Sequence, residues 1–156
     1  MILAIACGGA IGAVGRHFVN VGTIVLLGTG FPWATLTVNV VGSFLMGALV
    51  HVFAVSWPVS MEMRALLTVG GLGAFTTFST FSLDVVLLYE RGQLLLAGAY
   101  IVASVALSIT ALFAGLKLAR RRDHGPDDPR QYCQHFALGG GPQGGVCIYV
   151  CRHVRV

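Results

Sequence analysis

Two stretches without a formal charge constrain this chain more than anything else in it: the 45 residues between Arg16 and Glu62, and the 25 between Arg91 and Lys117. A run of about 20 apolar residues crosses the hydrocarbon core of a bilayer, and each stretch is long enough to do so. Composition agrees, since 56% of the 156 residues are apolar and only 10% are charged, against roughly 25% in a soluble domain. The charges are also segregated, with seven in residues 1–119 and nine in the last 37. An ordinary soluble globule, a disordered chain and a nucleic-acid binder with a basic groove are all excluded. The expected class is an all-α membrane protein, set in lipid and crossing the cell (inner or plasma) membrane several times.

Breakers divide residues 1–119 into four spans. The first runs over residues 2–27 and ends in Gly28-Thr29-Gly30-Phe31-Pro32, where Gly and Pro stop a helix. It lacks the basic leader of a signal peptide and carries Arg16 where such a segment is apolar. The second runs over residues 33–55 and closes at Ser56-Trp57-Pro58. The third starts after Ser60, an N-cap with Glu62 in the first turn, and reaches Glu90. After Arg91-Gly92 the fourth covers residues 93–119. Trp33, Trp57, Tyr89 and Tyr100 fall near proposed helix ends, where interfacial aromatics collect.

The third span differs from the others. Gly70, Gly71 and Gly73, followed by Thr76, Thr77 and Thr80, are poor helix formers. Broken backbone at membrane depth is tolerated only inside protein or against a wet cavity. A helix interrupted around residues 73–76 is therefore expected, the usual pointer to an ion site. With four spans both termini share a side, which carries Arg64, Lys117, Arg120, Arg121 and Arg122; the other carries Arg91. That bias favours cytoplasmic termini. Residues 120–156 form a basic Gly- and Pro-containing tail, expected to be disordered. Its Cys133, His135, Cys147, Cys151 and His153 have spacings that match no common zinc site.

Several side chains are candidates for chemistry. Arg16 shares a helix face with Gly8 and Gly12, which permit close helix approach. It either caps backbone carbonyls near the break or supplies charge for an anion. Asn39 repeats with Ser43 and Gly47 at a spacing of four and offers either amide donors or an interhelical bond. Phe78 and Phe81 lie on one face, with Thr77 four residues before Phe81. Such pairs make core or lipid contact, or turn electropositive ring edges towards a small anion. Tyr100, Ser104 and Ser108 form a hydroxyl stripe on the fourth span, bonded back to their own helix or lining a polar track. His17 and His51 stand alone, and Asp84 and Glu90 lie too far from either for acid–base chemistry.

In order, these motifs resemble the Fluc/CrcB family of fluoride channels. The segment Gly8-Gly9-Ala10-Ile11-Gly12-Ala13-Val14-Gly15-Arg16 is similar to the family's first-helix signature, and Thr37-Val38-Asn39-Val40-Val41-Gly42-Ser43-Phe44 to its second. Gly73-Ala74-Phe75-Thr76-Thr77-Phe78-Ser79-Thr80-Phe81-Ser82 nearly reproduces the third. The resemblance covers residues 1–119 and has no counterpart for the tail. It implies passive fluoride export by an antiparallel, dual-topology homodimer with two pores. It also implies a structural Na+ at the dimer centre, held by the carbonyls of Gly73 and Thr76. Asn39, Thr77, Phe78, Phe81, Ser104 and Ser108 would line the fluoride pore, with Arg16 supporting it. The charge bias suggests instead a heterodimer with an oppositely oriented paralogue.

The rival reading is a proton-coupled small multidrug transporter, which needs a carboxylate within the membrane. The first span offers Arg16 instead. An enzyme is not expected, because the spans hold no nucleophile–base pair and no metal cluster.

Overall fold

The structure is a computed structural model and describes residues 1–56 and 59–123. Trp57, Pro58 and the expected tail beyond Asp123 lie outside the described residues. Within them the chain is helical apart from short connections, and four helical runs are long and apolar enough to cross a membrane: Ile2–Leu27, Trp33–Ala54, Met61–Glu90 and Leu94–Arg121.

Helix α1 (Ile2–Leu27) ends at Gly28, whose φ of 76° closes the turn that residues with a Cβ adopt poorly. Helix α2 (Trp33–His51) starts after Pro32 and passes into a π-helical turn, Val52–Ser56. The third run has four parts: α3 (Met61–Arg64), a π-helical stretch (Ala65–Leu72), α4 (Gly73–Phe75) and α5 (Phe78–Glu90). Ser60 caps α3, its hydroxyl accepting from the Met63 N–H at 3.3 Å. Gly92, at φ 74°, makes the turn into α6 (Leu94–Asp123).

Small residues decide which helices touch. Lipid tails are as apolar as leucine, so helices in a membrane associate by close packing rather than by expelling water. Gly8 and Gly12 of α1 lie against the carbonyls of Leu66 and Gly71, and Gly70 lies against the Ile5 carbonyl. A Cβ at any of the three would overlap backbone. Helices α2 and α6 meet the same way, with Gly47 on the Leu112 carbonyl and Gly115 on that of Phe44. The π-helical stretch Ala65–Leu72 is the part of the third run that receives α1, and its wider turn shifts the register of everything after it.

Side chains fill one end of this frame. Phe81, Leu88, Ala97 and Tyr100 form a buried cluster, with Phe31, Leu36 and Val85 packed on it. Elsewhere large apolar side chains face outward: Ile2, Leu3, Val25, Leu26 and Leu95 are all largely uncovered. Patches of this extent mark a protein or lipid partner. The chain is a multi-pass membrane protein.

Candidate functional site

The third run changes course at residues 76 and 77. α4 ends at Phe75, Thr76 takes φ −79° and ψ 156°, Thr77 takes φ −153° and ψ 120°, and α5 begins at Phe78. Extended backbone inside a span leaves amide and carbonyl groups without helical partners, and the chain supplies them from side chains. The Thr77 N–H donates to Asn39 Oδ1 at 2.8 Å, and Asn39 Nδ2 donates to the Thr77 carbonyl at 3.1 Å. One asparagine of α2 thus answers both polar groups of one residue. The Thr77 hydroxyl accepts from the Thr80 N–H at 3.3 Å and lies 3.1 Å from Thr80 Oγ1 and 3.2 Å from Ser79 Oγ. It is the N-cap of α5. The Thr76 hydroxyl folds back onto the Leu72 carbonyl at 2.9 Å.

That pairing has a consequence upstream. In a continuous α-helix the Thr77 N–H would donate to the Gly73 carbonyl. Here it goes to Asn39, and the Gly73 carbonyl is left without its ordinary partner.

Beside these residues is a cavity of about 370 Å³, lined by Asn39, Ser43, Thr76, Thr77, Phe78, Phe81, Ser104 and Ser108 among others. The six residues named from sequence as pore candidates therefore border a single space. Phe81 is 9% exposed and belongs to the core, whereas Phe78 is 77% exposed; their ring centroids are 5.5 Å apart. Ser104 is 4% exposed, and its hydroxyl completes no hydrogen bond of ordinary geometry, although the Tyr100 hydroxyl one turn before it is a near neighbour. The Ser104 hydroxyl does not bond back to its own helix, unlike Thr110, whose hydroxyl donates to the Ala106 carbonyl at 2.7 Å. A buried hydroxyl without such a bond is destabilising by about 1–3 kcal/mol, and it leaves a donor free for a ligand. Asn39 adds a second, since its two bonds to Thr77 use only one of its amide hydrogens.

Arg16 is not on that cavity. It borders a second space of about 270 Å³, with His17, Asn20, Thr35, Thr77 and Thr80. Thr77 stands between the two. Arg16 makes neither a bond to a backbone carbonyl nor an ion pair to a carboxylate among the described residues. A third space of about 230 Å³, lined by residues including Asp84, Arg91 and the connection 28–33, shares Asn20, Ala34, Thr35 and Thr80 with the second.

Sequence reasoning missed one pair. The Tyr100 hydroxyl donates to Asp84 Oδ2 at 3.3 Å, and Tyr100 is 0% exposed. Its ring sits between Phe81, at 5.3 Å, and Phe31, at 5.4 Å, in a row of aromatics that runs from Phe78 to Trp33. The signal was present: Asp84 and Tyr100 are each eight residues from Gly92, and a tight antiparallel helical hairpin centred there places them opposite one another.

A family model described as CrcB-like protein, Camphor Resistance (CrcB), matches residues 3–116. The chain belongs to the CrcB family. The CrcB match takes in every site residue named above and stops short of residues 117–156. Among relatives, a protein of Rhodospirillum centenum named fluoride-specific ion channel FluC is 58% identical over 120 residues, covering 77% of this chain and 95% of the relative. One of the same name from Agrobacterium fabrum is 56% identical over 119 residues, covering 76% and 95%. Fluoride-specific ion channel FluC 1 of Nitrobacter hamburgensis is 50% identical over 119 residues, covering 76% and 94%.

Proposed function

We propose that this CrcB chain is a fluoride-selective channel that lets cytoplasmic fluoride leave passively and so confers fluoride resistance. The observation that carries the reading is the cavity that Ser104 and Asn39 share with the rings of Phe78 and Phe81. Fluoride is small and tightly hydrated. A pore that accepts it must replace water with many weak donors and still release the ion. Ser104 and Ser108 offer hydroxyls, Asn39 its remaining amide hydrogen, and the rings of Phe78 and Phe81 their electropositive edges. None of these carries a full charge that would trap the ion. Membership of the family and the names of its relatives support the same substrate.

In this reading the chain works as an antiparallel pair with two pores. Phe78, a pore residue that is 77% exposed on the single chain, fits a track that a second copy completes. Na+ at the centre of the pair fits the donor set: the Gly73 carbonyl is freed by the Asn39–Thr77 pairing, and Thr76 lies in the extended segment. Carbonyl oxygens suit a hard cation, and two from one chain are fewer than such an ion takes, so the partner would supply the rest. When bound, the ion would hold facing carbonyl dipoles together. Asn39 acts here through backbone geometry, keeping residue 77 extended.

The multidrug-transporter reading is not supported. The relatives are named as fluoride channels, and Asp84, the nearest acid in the third run, already accepts the Tyr100 hydroxyl.

The test is an efflux trace from proteoliposomes loaded with fluoride or chloride, read with ion-selective electrodes. Fluoride should leave and chloride should stay. Equal loss of both anions would overturn the reading.

A further inference from the structure

All four spans share one end, and that end is basic. The Met1 ammonium lies 3.3 Å from Glu62 Oε1, which ties the start of α1 to the start of α3. Arg64 of α3 donates to the Phe53 carbonyl at 3.0 Å, which adds the π-helical turn that closes α2. Helices α2 and α6 run in the same direction, because Gly47 lies on the Leu112 carbonyl while Asn39 borders the same cavity as Ser104. They therefore finish together, and the last turns of α6 bring Lys117, Arg120 and Arg121 to this end. We propose that these last turns bind the headgroup of an anionic phospholipid, with Lys117 and Arg121 selecting it over a zwitterionic one. The proposal goes beyond the channel reading and does not depend on it.

Depth is the first part of the argument. α6 has 30 residues, about 45 Å of helix, against about 30 Å of hydrocarbon. Its charge-free part, residues 94–116, is about 35 Å long and crosses the core by itself. Lys117 therefore falls where the headgroups begin. Phe113, Lys117 and Arg121 follow one another at a spacing of four, which puts them on one side of the helix, and all three are exposed. A ring followed by an ammonium and a guanidinium matches a phospholipid lying along α6, acyl chain on Phe113 and phosphate at the two cations.

Charge is the second part. Lys117 and Arg121 make no side-chain hydrogen bond or ion pair among the described residues. Glu62, the acid at the start of α3, is already paired with the Met1 ammonium. Arg64 uses one of its N–H donors on Phe53 and keeps others. At the opposite end Arg91 directly follows Glu90. The phosphate of phosphatidylcholine is offset by its own choline, whereas that of phosphatidylglycerol is not. Each Lys or Arg held at a membrane surface favours anionic lipid about fivefold.

The test takes the full chain in detergent micelles doped equally with phosphatidylglycerol and phosphatidylcholine, and counts the lipids it retains by native mass spectrometry. Wild type should prefer phosphatidylglycerol by about tenfold or more, as two cations at about fivefold each require. Lys117→Gln with Arg121→Gln should remove most of that preference. Lys117→Arg with Arg121→Lys, which conserves the charge, should keep it, and so should Arg91→Gln. The basic tail is present in every sample and cannot produce a difference between them. The preference should shrink between about 50 mM and about 500 mM ammonium acetate, because salt screens exposed charge. Glycerol 3-phosphate in large excess should leave the retained lipid in place, since it lacks the chain that lies on Phe113. Equal retention of the two lipids by wild type, a full preference in the Gln double variant, or displacement by glycerol 3-phosphate would each overturn the proposal. If the double variant fails to fold, Lys117→Gln and Arg121→Gln taken singly carry the same comparison, each with a reduced preference expected and an unreduced one in both overturning it. No fluoride is measured, so a failure of the channel reading would leave this result standing.

Discussion

Ser104 and Asn39 carry similar polar groups in the same cavity, but removing them should have opposite effects on stability. Ser104→Ala deletes a buried hydroxyl that completes no hydrogen bond of ordinary geometry, so the fold should be unchanged or slightly more stable while fluoride flux falls severalfold. Asn39→Ala strips both partners from Thr77. Two buried backbone groups left unpaired should destabilise by about 2–5 kcal/mol, with flux lost. Thermal melting in detergent beside efflux measurements separates the two cases. The phenylalanines divide similarly. Phe81 is in the core and Phe78 is not, so Phe81→Ile should depress flux and cost about 1–3 kcal/mol of stability. Phe78→Ile should depress flux at nearly wild-type stability. If both conduct normally, the ring-lined cavity is not the path.

At the level of helices, the close approaches give the sharpest expectation. Gly12 faces the Gly71 carbonyl with no room for a Cβ, so Gly12→Ala must push α1 from the third run or strain both. A loss of about 1–3 kcal/mol is expected, read as a lower melting temperature, while Gly9→Ala, which meets open space, should melt like wild type. Much at this scale was legible. The ends at Gly28, Ser60 and Gly92 follow from breaker and cap chemistry, and the Gly8–Gly12 face announced close packing through its spacing. Its partner was not legible, because small-residue spacing says that a helix comes close without saying to what. The π-helical stretches were missed as well: their sequences, such as Ala65-Leu66-Leu67-Thr68, read like any apolar helix, and nothing in residue type sets the wider turn apart. Asn39 shows the same limit. Its type and depth left open free amide donors or an interhelical bond, and only the position of residue 77 shows that the bond is to backbone.

For the whole molecule, the charges bear on how copies are arranged. Arg64, at the end of α3, donates to the Phe53 carbonyl at 3.0 Å and lies over the Phe53 ring, while Lys117 and Arg120 lie near the end of α6. Arg91 follows α5 at the opposite end of the third run. A subunit that must insert equally in both directions needs a nearly balanced charge, since a few Lys or Arg near the span ends set orientation. The five-to-one bias read from the sequence argues for one fixed orientation, and an antiparallel pore would then need a partner of opposite bias. A chain ending at Asp123 removes two arginines of the tail's far end, Arg152 and Arg155, together with Arg130, but retains every residue of the bias and of the family match. It should keep both its orientation and any flux it shows. The deciding measurement is accessibility of a C-terminal tag from each face of intact cells. A tag found on one face alone, with fluoride efflux appearing only when an oppositely oriented relative is supplied, supports the paired arrangement. A tag found equally on both faces, with efflux from this chain by itself, establishes the homodimer and removes the charge bias as an argument.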